Sequence, residues 1–566
     1  MTSHLRSALM TAILALFLAG NVPAGPPDPC GGAHTHLSAL ETKQLDKLET
    51  KLARTLSDLA RYRQKLAAQE ARLAAGEQEL EEALAMPEDT AQQRRQREAA
   101  IKAAKKQIRK ATKGLEKWGG KVASRERKRD NWCVKLEGLD PWRFSGPGPG
   151  PAGNPAYEPA WAGVAPSRIL ELETDPLLSD DQNGARLKGA ILALIPGDRL
   201  EIGGGVWSIN SYFNVTLQGT ALAPIQVVAR DGEFPVITRP DAGQNLMNVG
   251  NMTPASSRYI LFRGLTFTGG SAGVRLYGAA NVWIDRCEIH HTGEAGMTTN
   301  TVDTDSIYIT RNHIHHTGGY GEGMYLGANS GAVVMSNSVV ARNHVHDTGG
   351  TQGDGIELKQ GSYGNWLVAN CVHDTNYPCI LVYGTHGNPV NIVERNHCVG
   401  SNDNVMQVQG EAIVINNLVV GGANAFFSTD HQDSSVNLSV VHNTFVSQGI
   451  AAYLSSWNGR QGMLFANNVT YSEGNVAVSF SGGSSGVSAT GNMTFGGVVH
   501  GPPAGFSQGG GLGDFRGLSW DGARVDSTPI QGEALIGSGD PVYGAQIDLS
   551  GSQRTGSLES GCSDSE

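Results

Sequence analysis

The chain has 566 residues, with 44 Lys and Arg against 54 Asp and Glu and a formal net charge of −10. Its 74 glycines are about twice average usage, which suits a fold with many tight turns. The one basic stretch, around residues 94–129, has almost no interleaved aromatic residues, so nucleic acid is not an expected partner.

Residues 1–24 read as a secretory signal. Arg6 supplies the positive start, Ala8 to Ala19 form an apolar run too short to cross a bilayer, and Val22-Pro23-Ala24 forms a small-residue cleavage site. No later segment reads as a membrane span. The expected location is secreted, periplasmic or cell-surface.

Residues 37–130 carry a heptad pattern. Leu45, Leu52, Leu59, Leu66, Leu73 and Leu80 are spaced by seven, and Ile101, Ile108 and Leu115 repeat the spacing. Met86-Pro87-Glu88-Asp89-Thr90 stops one helix and starts the next. The pattern predicts an antiparallel helical hairpin or coiled coil. Its first helix lacks good second apolar positions (Gln69, Gly76), which leaves room for a partner helix from a second copy, a homo-oligomer. Residues 37–140 hold 24 Lys and Arg against 17 Asp and Glu, a net +7, while the remainder is net −17. The bland reading is a solvated coiled-coil face, and the sharper one is an arm for an anionic polymer. Residues 131–165 read as a Pro/Gly-rich linker. The cysteines number seven, an odd count. Cys30 and Cys133 bracket the hairpin and are the expected disulfide. Alternation puts Cys371 outward and Cys398 inward, against pairing of those two.

Residues 166–500 hold a repeat. Asn312 (ITRNHIHH), Asn343, Asn370, Asn396, Asn417, Asn443, Asn468 and Asn492 share one register, and Cys287 takes the same slot one repeat earlier. The steps are 25, 31, 27, 26, 21, 26, 25 and 24 residues. A period in this range means a solenoid. Within a repeat, Gly355-Ile356-Glu357-Leu358-Lys359, Trp366 to Asn370 and Cys371-Val372-His373 each alternate apolar with polar, the mark of a strand with one buried face. Three short strands per repeat make one coil of a parallel β-helix, and coils stack at ~4.8 Å. The recurring asparagines are then expected to form a ladder inside a turn. Gly184 to Leu194 is the candidate cap helix, and Pro196 to Trp207 the first coil. Residues 501–566 are read as a C-terminal cap and tail.

This pattern resembles the right-handed parallel β-helix proteins that include pectate, alginate and chondroitin lyases and mannuronate epimerases. The resemblance covers roughly residues 165–555, with the segment Ala534 to Gly551 similar to the tail of many bacterial members. It implies an all-β fold and, as a functional expectation, action on an acidic polysaccharide by β-elimination or epimerisation. In such proteins the groove runs along the strand that opens each coil. Alternation gives that strand two outward columns. The first is Thr298, Tyr325, Glu357, Leu381, Gln407 and Phe427, and the second is Asn300, Gly327, Lys359, Tyr383, Gln409 and Thr429. β-Elimination needs a base for the C5 proton, a neutralised carboxylate and an acid for the leaving oxygen. Lys359 is the expected base and Tyr383 the acid, with Glu357 beside them. Tyr325, Gln407, Gln409, His386, Trp457 and Arg460 are the expected sugar contacts. The chain departs from the resemblance in three ways: no arginine in the next coil, no Asp-Pro-His-Asp motif and no clear acidic calcium cluster.

Most of the 16 histidines lie between His290 and His397. His290, His315, His346 and His373 form one outward column of the third strand. Glu288, His313, His344, Cys371 and His397 form the other. His291, His316, Asp347 and Asp374 stack in the next turn. His315, His346, His373, Asp347 and Asp374 are the expected ligands if a transition metal is held, and calcium is the other open cofactor. The bland reading is that these His and Asp cap backbone groups. Hydrolysis by Asp354 and Glu357 ranks lower. The alternative class is a binding, adhesin or structural surface protein without catalysis.

Overall fold

In a computed structural model the described residues are 91–137, 157–554, 558–565 and scattered positions between 62 and 90. The signal, the first helix of the expected hairpin and its pairing, Cys30 and the side chain of Cys133 lie wholly or largely outside them, and so does the expected Cys30–Cys133 disulfide. The second helix spans Ala91–Glu137, past the 130 boundary expected for it. Thr90 caps it: Gln93 N donates to Thr90 Oγ1 (3.2 Å), and Thr90 N donates to Gln93 Oε1 (2.9 Å), a capping box.

The remainder is a right-handed parallel β-solenoid. One wall holds thirteen successive parallel strands from Arg168–Leu172 to Ser488–Thr490, one per coil. The other two walls run side by side and join through the long strand Val469–Ser481. Inward positions form a single apolar core. Ile289, Ile314, Val345, Val372, Cys398, Val419 and Phe445, one per coil, are all buried in it. The N-terminal end is closed by helix Asp180–Leu192, capped by Ser179 and Gln182, which drops Leu187 and Ile191 onto that core. The first coil begins one strand earlier than expected, because Arg168–Leu172 precedes the helix and pairs with Asp198–Ile202.

The asparagine ladder is present along its whole length. Asn343 N and Nδ2 both donate to Asn370 Oδ1 (3.0 and 2.9 Å), and Asn370 repeats this onto Asn396 (3.0 and 2.9 Å). The same pairing runs from Asn312 to Asn492. Each buried amide satisfies the turn below it, so the ladder removes a desolvation cost repeated in every coil. A shorter ladder, Ser338 to Asn365 to Asn391, serves a second turn.

Two expectations change. The end of the predicted linker is a packed strap. Tyr157 is buried against Ala341 and Val368, and Trp161 lies edge-on to Trp283 at 6.1 Å. Glu158 pairs with Arg311 (3.0 Å), which also pairs with Asp285 (2.7 Å). Two aromatic residues in a short segment are enough to dock it on an apolar wall. Cys371, read as an outward thiol, is buried and disulfide-bonded, with its partner outside the described residues. Cys287, Cys379, Cys398 and Cys562 are free thiols.

Candidate functional site

In four successive coils the opening strand is preceded by a glycine (Gly273, Gly296, Gly323 and Gly355), for a packing reason. A Cβ on Gly355 would stand 2.3 Å from Val372 Cγ1 and 2.5 Å from Cys379 O, and one on Gly323 would meet Val345 and Gly355 as closely. The close approach fixes the register. Thr298, Tyr325, Glu357, Leu381, Gln407 and Phe427 then align as one outward column.

That column begins earlier than expected. Arg275 pairs with Thr298 on one side and with Asn248 on the other, so the column runs through Arg275 toward the N-terminal coils. Its signal was the run Gly273-Val274-Arg275-Leu276, which repeats Gly355-Ile356-Glu357-Leu358. Arg275 Nη2 is held by Asn300 Oδ1 (3.2 Å) and by Thr301 Oγ1. A cleft of about 550 Å³ opens here, lined among others by Arg275, Thr298, Asn300, Tyr320, Glu322 and Tyr325.

At one end of this cleft lies a buried ionisable cluster. Glu322 and Asp354 occupy one slot in successive coils, each just before the strand-opening glycine. With Glu357 they bring three carboxylate oxygens within 4.8 Å of one another. Lys359 Nζ bonds Glu357 Oε1 and sits 4.4 Å from the Tyr325 ring centroid and 5.4 Å from that of Tyr383. Asp354 Oδ1 and Glu357 Oε2 are buried without a hydrogen-bond partner among the described residues. Burial raises the Glu322 carboxyl to about 7. Burial, and then the charges of Glu357 and Glu322, push Asp354 well above its usual range. Glu357 is raised by burial, with Lys359 opposing. Both tyrosines are pushed up, first by burial and then by Glu357. Three carboxyls sharing one ammonium hold protons that isolated acids would lose. The expectation of no acidic cluster is thus corrected. A hard dication would take its oxygens from these carboxylates, but the Lys359 ammonium already serves as their counter-ion.

The other expected contacts divide. Tyr325 lines the cleft, while Lys359, Glu357 and Tyr383 are buried behind it. The segment 430–435 packs over Tyr383 and its neighbours Ser330 and His386. His431 stacks on Tyr383 at 5.1 Å, Gln432 Oε1 accepts from Ser330 Oγ (3.3 Å), and Asp433 faces His386 Nε2 at 3.8 Å. Gln409 is 2% exposed and Gln407 lies two coils beyond Glu357, so neither lines the cleft. Arg460 is taken by Asp430 (2.7 Å). Trp457 is no surface contact. It is 0% exposed in the core, with Nε1 donating to Ser428 Oγ (2.9 Å). Ser456 at φ 62° breaks the alternation, so the next side chain turns inward.

The histidine columns stand as expected on the neighbouring wall, His290–His315–His346–His373 and Glu288–His313–His344–Cys371–His397. The expected ligand set does not meet at a point. His315, His346 and His373 stack face to face, 5.1 and 5.0 Å apart, so their nitrogens run parallel. Asp347 and Asp374 instead bond the Nδ1 atoms of His346 and His373, each at 2.7 Å. The nitrogens that converge are those of His313, His344 and His346. Burial, and then the neighbouring imidazoles, push His313 down to about 3 and His344 to about 2.

Residues 252–396 match a family model described as a right handed beta helix region, a stretch that holds Arg275, the carboxyl cluster and the histidine columns except His397. No curated protein matches the sequence significantly. Among solved structures the chain is similar to pectate lyase Pel9A, at 14% identity and a TM-score of 0.39 over 71% of this chain and 98% of that one. It is also similar to an alginate lyase from Paenibacillus sp. str. FPU-7, at 20% identity and a TM-score of 0.34 over 61% and 98%. A third is the PL6 family alginate lyase AlyGC, at 12% identity and a TM-score of 0.40 over 69% and 57%. No described helix is long and apolar enough to cross a membrane.

Proposed function

We propose that the chain acts on an acidic polysaccharide at this cleft, by β-elimination or epimerisation of a uronate. The observation that carries the reading is one outward column with Arg275 and Tyr325 in a cleft, and with Lys359 and three clustered carboxyl groups directly behind. Arg275 stands two coils from Tyr325, roughly 10 Å along the axis at ~4.8 Å per coil. Its guanidinium fork takes the carboxylate of one sugar while the reacting sugar lies at Tyr325. Glu322, whose carboxyl burial raises to about 7, in its protonated form hydrogen-bonds the reacting carboxylate and lowers the penalty for charge building at C5. Lys359 passes a proton to Glu357, whose carboxyl burial favours the protonated form, and the free amine takes the C5 proton. In elimination the C5–H electrons form the C4–C5 double bond, the C4–O4 bond breaks, and the Tyr325 hydroxyl protonates O4. In epimerisation Tyr325 returns a proton to the opposite face of C5. Tyr383 is a positioning residue for Lys359, a change from the acid role expected of it. The signal-like start, outside the described residues, fits an exported protein that meets such polymers.

A second reading, carbohydrate binding without turnover, is favoured by the Lys359–Glu357 ion pair and its cover of two aromatic rings. The test is the ultraviolet absorbance of unsaturated uronate during incubation with pectin, alginate and glycosaminoglycans. Lys359→Ala is expected to lower the rate by ~10²–10⁴-fold, the usual worth of a general base. Arg275→Ala is expected to raise KM more than it lowers kcat. A wild-type rate that survives Lys359→Ala would overturn the assignment of the base. Binding without any product would favour the second reading.

A further inference from the structure

The histidine columns are unused by this chemistry. A repeat needs only one small or polar residue at each outward position, yet four successive coils place imidazoles at both outward positions or beside a carboxylate. Their hydrogen bonds give the arrangement a direction. His346 Nδ1 faces Asp347 Oδ2 at 2.7 Å, and a carboxylate accepts only, so the ring carries its proton on Nδ1. The lone pair is then on Nε2, which lies 2.7 Å from His313 Nε2. One coil further, Asp374 orients His373 in the same way, and its Nε2 lies 2.8 Å from His344 Nε2. A carboxylate fixing one imidazole nitrogen so that the other presents its lone pair is the usual support of a metal-bound histidine.

We infer that His313, His344 and His346 form a binding site for a divalent transition-metal ion of the zinc type, with Asp347 orienting His346. One ligand nitrogen from each lies within 4.8 Å of the other two. Two nitrogens on one tetrahedral zinc, each at ~2.0 Å, stand roughly 3.3 Å apart, so an ion enters by a slight opening of the His313–His346 contact. In doing so it displaces the single proton of neutral His313 from Nε2, and His313 takes the tautomer with that proton on Nδ1, toward Glu288 Oε1 at 3.9 Å. All-nitrogen donors select zinc, copper or nickel over calcium or magnesium. The side chains of His313 and His346 remain 25% and 15% exposed, so an ion reaches them from solvent. Two neighbouring clusters are weaker. The set His344–Cys371–His373 offers no thiolate, because Cys371 is disulfide-bonded. In the set Glu288–His313–His315, Glu288 already accepts from His315 Nε2 at 3.3 Å.

The test is competition of the full chain, stripped with chelator and desalted, against a chromophoric zinc indicator. The wild type is expected to withdraw one equivalent of Zn²⁺ that the double variant H313Q/H346Q does not withdraw, while His500→Gln, exposed and remote, behaves as wild type. Asp347→Asn removes no ligand and is expected to weaken affinity ~10–100-fold. Co²⁺ in place of Zn²⁺ is expected to show the visible absorption of a tetrahedral nitrogen site. Thermal unfolding of each metal-free variant separates lost affinity from lost fold. Zn²⁺ taken up equally by wild type and a folded double variant, or no equivalent taken up by the wild type, would overturn the site.

Discussion

Lys359 and Glu322 carry the chemical argument at the scale of single residues. A lysine whose ammonium is bonded to a carboxylate is ordinarily a poor base. What changes this is burial, which raises the Glu357 carboxyl against the pull of Lys359 and so favours the neutral pair of amine and acid over the ion pair. The same burial has a consequence for stability. The folded Glu322 carboxyl titrates at about 7, above the ~4.3 of an unfolded chain. As pH rises through this window the unfolded state loses its proton first, so Glu322 favours the fold at the low end and costs stability at the high end. Asp354 and Glu357 shift in the same direction. Urea midpoints measured between these pH values are expected to fall with rising pH in the wild type and to fall less in Glu322→Gln. An unchanged slope in Glu322→Gln would mean that Glu322 is not the group held protonated.

The strand-opening segment is the element that positions the site, and at Gly355 it has no room for a side chain. Gly355→Ala forces a Cβ onto Val372 and the Cys379 carbonyl, and is expected to cost about 1–3 kcal/mol by overpacking. A urea midpoint equal to wild type would show that the coil yields there. Much of this element was legible from period-2 alternation alone. Glu357, Tyr325, Gln407 and both histidine columns stand where parity puts them, because parallel stacking keeps parity from coil to coil. Arg275 and Glu322 were missed although their signals were present, the same glycine-led run one coil earlier and an acid before the glycine in two coils. Other misses had no local signal. The burial of Tyr383 comes from the segment 430–435 of a later coil, where His431 stacks on its ring, and Lys359 is packed against the Tyr325 and Tyr383 rings. Trp457 turned inward because one left-handed residue, Ser456, broke the count.

The solenoid is a stack in which each coil rests on its neighbours, so its stability is set by features that recur and by those that clamp several coils together. The asparagine ladder is the recurring feature. The clamp is the strap at residues 157–165, tied to the wall through Glu158, Arg311 and the fully buried Asp285. Asp285→Ala leaves Arg311 and Arg286 buried without that counter-charge, and is expected to destabilise by about 3–5 kcal/mol, read from thermal or urea unfolding. A loss of under about 1 kcal/mol would mean that the arginines are compensated elsewhere. The central claim concerns C5 of a uronate, and both proposed reactions remove its hydrogen. The most direct measurement is therefore proton NMR of a polyuronate incubated with the protein in D₂O. The account predicts that H5 intensity is lost, by deuterium exchange in epimerisation or by double-bond formation in elimination, and that Lys359→Ala preserves it. H5 signals that persist across pectin, alginate and glycosaminoglycans with the wild type would contradict it.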